Sequence, residues 1–300
     1  MNRFLFFILL SFSFSISSAQ EWMTNLEVAE RLALTQNKLL VVVWEDAYNN
    51  GIAASINNGN QHDVYLENIF SEPIIDSLMW EHFVPVVLSE DNYSRLYDKI
   101  DKRSVNYINT FNDDGLKIMD ANGNILNVSN NNYLLNLSVF IYKYSIDTSF
   151  LKSEIQNYKA HKDFYSSFYL SAKYMDFAFF ASSIIRPELV GLASIYLDEA
   201  IEYLKKESLE NKSALNQRVK LLDIQKLILL KEPKKALRKL NKIKASEIEN
   251  ANINLRSFLY LASYTMLQDT ENIAIWEPKV LLWDKKKMMS LISSNYNKDI

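Results

Sequence analysis

Leu39-Leu40-Val41-Val42-Val43-Trp44 constrains the fold more than any other stretch of the chain. The run is too short for a globular helix and is apolar on both faces, so it has no polar side to turn to water. A β-branched segment of this kind is stable as a central strand covered above and below. Its neighbours supply the cover. Leu26, Ala29, Leu32 and Ala33 recur at helical spacing, and Thr24 and Glu27 stand at the spacing of a capping box, so a helix is expected over 24–36. Glu45 to Gln61 is polar, with Gly51 and Gly59, and reads as a long loop holding one short helical piece. Val64–Phe70 and 73–81 read as helices parted by Ser71-Glu72-Pro73, with Pro73 in the first turn of the second. Phe83–Leu88 is a second strand, which Pro85 assigns to an edge or to a strand beginning. A helix over Tyr93–Ile100 follows. A hairpin from Leu116 to Leu126, turning at Asn122-Gly123, completes an α/β unit: a mixed sheet with helices on both faces.

Composition removes whole classes of function. The chain has 300 residues, with 5 Gly, 5 Pro and no Cys, and 48% of it is hydrophobic. Collagen-like and disordered chains do not look like this. Without cysteine there is no thiol nucleophile, disulfide, iron–sulfur cluster, thiolate zinc site or lipid-bearing cysteine. Residues 1–19 start with Arg3, continue through the apolar Phe4–Leu10 and close on Ser17-Ser18-Ala19. They read as a cleaved secretory signal, because the uninterrupted apolar stretch falls short of the ~20 residues that cross a bilayer. The expected destination is the periplasm or the exterior, as a soluble protein that is not a lipoprotein.

Charge divides the remainder. Residues 20–147 carry 18 acidic and 8 basic side chains, and 148–300 carry 18 acidic and 24 basic. Opposite signs on adjacent domains point to docking of one on the other, with two ordinary solvated surfaces as the alternative. The lysines of the basic half are interleaved with acids, as in Lys205-Lys206-Glu207, which argues against a nucleic-acid partner.

Beyond Asp147-Thr148, strand signals largely vanish. A helix is expected from Ser149 to about His161, then helices at about 164–182, 187–207, 212–230, 233–244, 251–268 and 278–294. Tyr165, Phe168, Tyr169, Tyr174, Phe177, Phe179 and Phe180 would cover several sides of one helix, which suits a central helix or a domain junction. Asp198–Leu204 is echoed 36 residues later by Lys234–Leu240, each with a central alanine. A long helix followed by such an alanine-anchored one resembles a tetratricopeptide-like pair, with a non-repeating bundle as the alternative.

The first half resembles an exported thioredoxin-like family domain. The likeness rests on the order of elements and on three features: Val41–Trp44, the segment Leu66 to Val86 with its Phe70-Ser71-Glu72-Pro73 and Phe83-Val84-Pro85-Val86, and the Asn122-Gly123 hairpin. The resemblance places the family's Cys-x-x-Cys on Asn60, Gln61, His62 and Asp63, and its cis-proline near Asp113 and Asp114. Thiol chemistry needs one thiolate to attack and a second thiol to resolve, and amides and a carboxylate do neither. The resemblance further implies a polypeptide-binding surface beside that corner, at Trp44, Tyr65, Asp113 and Asp114.

The expected architecture is therefore a signal over 1–19, a thioredoxin-like α/β domain over 20–147 with its last helix reaching 161, and an all-α domain over 162–300. The expected function is non-catalytic binding of a protein or peptide, with no cofactor, no metal and no stable membrane span. His62 beside Asp63 is the one candidate for histidine-centred chemistry in the 45–63 loop; His82 and His161 read as packing and surface residues. An enzyme of a non-thiol class using that loop, and a structural subunit of an envelope complex, are the alternatives.

Overall fold

A computed structural model of the chain describes residues 21–57, 63–128 and 134–296. The expected signal at 1–19 lies outside them. Strand β1 (Leu40–Trp44) is buried along its whole length, as its composition requires. It lies between β4 (Val84–Leu88), to which it runs parallel, and β5 (Lys117–Met119), to which it runs antiparallel. Pro85 sits in β4 at the sheet's edge. The Val84 amide donates inward to Leu39, so the proline's missing N–H belongs to the outer side, where Met23 joins the edge through Val87 N–H and Pro85 C=O.

Helix α1 (Leu26–Gln36) packs Leu26, Ala29 and Ala33 against β1 and β4. Its cap is Asn25 rather than Thr24: the Asn25 side chain accepts from Val28 N–H at 3.1 Å, and Asn37 closes the helix in the left-handed region at φ 56°. The short helical piece after β1 is α2 (Glu45–Asn50). The rest of the segment differs from its expected form. Ala54–Asn57 is strand β2, and the helix expected over Val64–Phe70 is instead strand β3 (Asp63–Leu66) followed by one 3₁₀ turn at Ile69–Ser71. β2 and β3 pair Ile56 with Val64 and Ser55 with Tyr65 in an antiparallel ladder. Cross-strand pairing of the β-branched Ile56 and Val64 outweighs the accidental helical spacing there.

Helix α3 (Pro73–His82) opens on its proline, and α4 (Tyr93–Tyr97) is shorter than expected. Helix α5 (Val105–Asn112), capped by the Ser104 hydroxyl, occupies a segment to which the sequence assigned no element. The hairpin turns at Gly123 with φ 78°, the conformation that suits glycine. Strand β6 (Leu135–Asn136) completes a second small sheet in the order β3-β2-β6, against which α6 (Leu137–Tyr144) packs.

The remainder is helical: α7 (Lys152–Ala160), α8 (Phe164–Phe180), α9 (Arg186–Lys206), α10 (Lys212–Leu229), α11 (Pro233–Leu240), α12 (Ile253–Met266), α13 (Thr270–Trp276) and α14 (Leu282–Tyr296). α8, α10, α12 and α14 close a ring, since α14 packs on both α12 and α8, while α9 and α11 lie alongside. Ala200 on α9 and Ala236 on α11, the two centres of the 36-residue echo, are both fully buried. Arg186 sits at the start of α9. Its guanidinium donates to the Ala178 and Ala181 carbonyls at the end of α8 and to Ser294 on α14.

One buried carboxylate joins the two parts. Asp120, in the hairpin turn, accepts from the hydroxyls of Tyr174 on α8 and Tyr196 on α9 and from the amides of Asn122 and Asn124. Tyr196 in turn accepts from the side-chain amides of the same two asparagines, at 2.8 and 3.0 Å. On either side, α9 presents a glutamate that holds a cation and a tyrosine. Glu188 meets Lys143 at 2.6 Å and the Tyr144 hydroxyl at 3.0 Å. Glu199 meets Arg103 at 2.6 Å and the Tyr158 hydroxyl at 2.5 Å.

Burial pushes the Asp120 carboxyl above the usual carboxylate range, with its hydrogen bonds pulling the other way. Its ionisation therefore weakens the fold: the contribution is complete below the unfolded aspartate value of about 3.9 and is lost as pH rises through the folded value. Asp120→Ala is expected to cost about 3 kcal/mol by leaving buried donors without an acceptor. Relative to Asp120→Asn, the wild-type chain is expected to lose stability from about pH 4 upward, read by urea unfolding across that range.

Candidate functional site

The carboxyl ends of the parallel strands β1 and β4 open on one corner, the place where ligands of open α/β sheets gather. Trp44 ends β1 there. Its indole N–H donates to the Phe111 carbonyl at 2.8 Å, and its ring meets Phe111 edge-on at 5.2 Å and Tyr93 at 5.9 Å. The Tyr93 hydroxyl donates to Asn112 at 2.9 Å, which ties the end of α5 to the start of α4. Glu45 and Asp46 begin α2 directly after Trp44, and the Asp46 amide donates to the Glu90 carboxylate at 3.1 Å. The start of that helix is thus already met by a carboxylate from the loop after β4.

Lys117 lies beneath the same corner, in β5, with 1% of its surface exposed. Its ammonium donates to the carbonyls of Asp113 and Gly115 at 2.5 and 2.9 Å and to the Asp113 carboxylate at 3.2 Å. All three protons are used, as a buried ammonium requires. Burial lowers the Lys117 pKa, and Asp113 opposes that shift. At the loop where the family resemblance implies a proline, the chain holds 113–115 from below with this cation.

The expected site residues do not all converge. Asn60, Gln61 and His62 lie outside the described residues. Asp63 is exposed and opens strand β3, whereas a dithiol motif opens a helix. Trp44 and Asp113 belong to one loop cluster through Phe111 and Asn112, and Asp114 is exposed beside them. Tyr65 belongs to the second sheet, and no contact among the described residues ties it to Trp44 or Asp113. Lys117 and Tyr93 are what sequence reasoning passed over. A signal for the first was present, since Lys117 is the one charge in the apolar Leu116–Met119.

The chemistry of the corner is narrow. The chain holds no cysteine, so a thiol–disulfide oxidoreductase mechanism is excluded. Among the described residues no group of three or more His, Asp and Glu is placed to hold a metal ion, and no helix is long and apolar enough to cross a membrane. His82 ends α3, half-buried against the Ser145 hydroxyl at 2.7 Å, and His161 follows α7 and is exposed. A cavity of about 940 Å³ opens between the 98–107 segment and α9, walled by Asp98, Lys102, Arg103, Tyr107, Asp198 and Glu199, but it includes none of the expected site residues.

Strand β3 offers a different kind of surface. Among the described residues it pairs with β2 alone, Val64 is 43% exposed and Tyr65 is 61% exposed. Successive side chains of a strand point to opposite faces, so β3 is open to solvent on both faces as well as along its outer backbone edge. Comparison of the chain with protein-family models, with curated proteins and with solved structures finds no match.

Lys117→Met conserves volume and removes the buried charge. It is expected to shift stability by less than about 1.5 kcal/mol, yet to free the 113–115 loop, read as faster amide hydrogen exchange there with β1 unaffected.

Proposed function

We propose that the chain is an exported, non-catalytic binding module in which a redox-inactive thioredoxin-like domain is fused to a tetratricopeptide-like helical region. It receives an extended segment of a partner polypeptide along β3. The signal at 1–19 directs it to the periplasm or the exterior, and the thioredoxin-like and helical domains occupy 20–147 and 162–300, with α7 bridging them.

The observation that carries this reading is the exposure of β3. A bare strand edge flanked by large apolar side chains is a template for pairing, and proteins that do not use such an edge cover it, charge it or break it with proline. Here the one charge is Asp63 at the first position, and the middle of the edge carries the exposed Val64 and Tyr65. An added strand satisfies the unpaired backbone groups, and alternate side chains of the partner read the two faces. Each main-chain hydrogen bond contributes about 0.5–1.5 kcal/mol net. A partner segment of a few residues then gives the modest affinity that suits a reversible module. The loss of both thiols removes turnover and leaves this surface in place.

The test places a photo-crosslinking residue at Tyr65, at Val64 and, as a control, at Val105 on α5, in cells that express the full chain. Adducts to a defined protein are expected at the two β3 positions and not at Val105, and Val64→Pro is expected to abolish the Tyr65 adduct. Absence of any adduct from either β3 position, with the chain folded and present at normal level, would overturn the reading.

A further inference from the structure

The ring of α8, α10, α12 and α14 encloses a cavity of about 300 Å³. Its floor is apolar, from Leu222, Leu255 and Phe258. Two polar groups on α10 are left in an unusual state at its wall. Gln225 is 4% exposed and makes no hydrogen bond among the described residues. The little surface it keeps lines the cavity, so its amide is left to hydrogen-bond with whatever occupies that space. Two turns earlier on the same helix, Arg218 donates to the Ala251 carbonyl at 3.3 Å and forms no ion pair among the described residues. Its guanidinium is partly desolvated, and burial lowers its pKa. The nearest carboxylates, Asp176 and Asp284, are both taken by Lys287, at 2.8 and 3.6 Å.

We propose that this cavity is a binding site for a monocarboxylate carried on a small apolar body, with Arg218 receiving the carboxylate, Gln225 donating its amide and the Leu222, Leu255 and Phe258 floor taking the body. The planar guanidinium matches a carboxylate in two parallel hydrogen bonds. A phosphate would satisfy the same fork but brings no apolar body for the Leu222, Leu255 and Phe258 floor. The volume is roughly the share of ten waters in the liquid, enough for one side chain or a small acid and too little for a longer ligand, the rest of which would stay in solvent. The cavity is built wholly from the helical part, so the site stands apart from β3 and is independent of the polypeptide reading given above.

The experiment is calorimetric titration of the full chain with phenylacetate, with its neutral isostere phenylacetamide and with inorganic phosphate. Phenylacetate is expected to bind at least about tenfold more tightly than either of the others. Arg218→Gln is expected to weaken phenylacetate by a similar factor. Gln225→Leu, which removes the buried amide at nearly constant volume, is expected to keep or raise the melting temperature while also weakening binding. The two sources of such a carboxylate are separated by Gly-Gly-Phe with a free or an amidated C-terminus. Tighter binding of the free tripeptide than of phenylacetate assigns the site to chain termini, and the reverse order assigns it to free small acids. The proposal is overturned if phenylacetamide or phosphate matches phenylacetate, if Arg218→Gln leaves the affinity unchanged, or if no probe titrates at millimolar concentration.

Discussion

Asp120 is the constraint on which the relation of the two parts depends. A carboxylate with no cation beside it is buried where hairpin, α8 and α9 meet, and four donors drawn from both parts hold it. Removing such a group from water is expensive, and only a complete set of hydrogen bonds makes it tolerable. The two tyrosines contribute to that set only while α8 and α9 stay docked against the turn. Separation of the parts would leave a half-satisfied network, which is worse than an apolar contact of the same size. A polar cluster thus fixes one orientation where a greasy interface would permit several.

The glutamates on either side follow a logic that net charge conceals. Residues 20–147 are acidic overall and the remainder is basic, yet Lys143 and Arg103 come from the acidic part and meet Glu188 and Glu199 of the basic one. Glu30 with Lys159 runs in the opposite sense. Each glutamate of α9 also receives a tyrosine hydroxyl, so the pairs are built for position and stereochemistry. Long-range attraction between oppositely charged surfaces helps the parts to meet, but the minority charges decide how they seat.

Much of this architecture was legible in the sequence, for local reasons. Val41–Val43 have no polar face and had to be central; Pro85 had to lie on an edge; the helical spacing from Phe164 onward announced most of the helices after it. What escaped was non-local. β2 and β3 exist because Ile56 meets Val64 across a ladder, which no single window displays. Asn25 in place of Thr24 is a choice between adjacent caps of similar worth. Asp120 is met by tyrosines 54 and 76 residues away, Lys117 by the carbonyls of the loop just before it, and Gln225 is buried by the packing of the helical ring. Their side chains look in sequence like ordinary surface polarity. Of the expected surface, Trp44 and Asp113 fall in one loop cluster, and the absence of sulfur leaves no thiol chemistry there. Tyr65 proved to belong to a separate sheet.

The closure of the helical ring has a consequence for biogenesis. Lys287 reaches Asp176 and Ser294 reaches Arg186 across more than a hundred residues of intervening chain. α8 therefore waits for α14 before its last face is covered, and until then Asp176 lacks its lysine and Phe180 lacks the Trp283 ring beside it. Contacts of such long range are slow to form. A chain made from its amino end therefore holds an unfinished helical core until its last helix is complete, and that core is open to wrong partners for as long as the delay lasts.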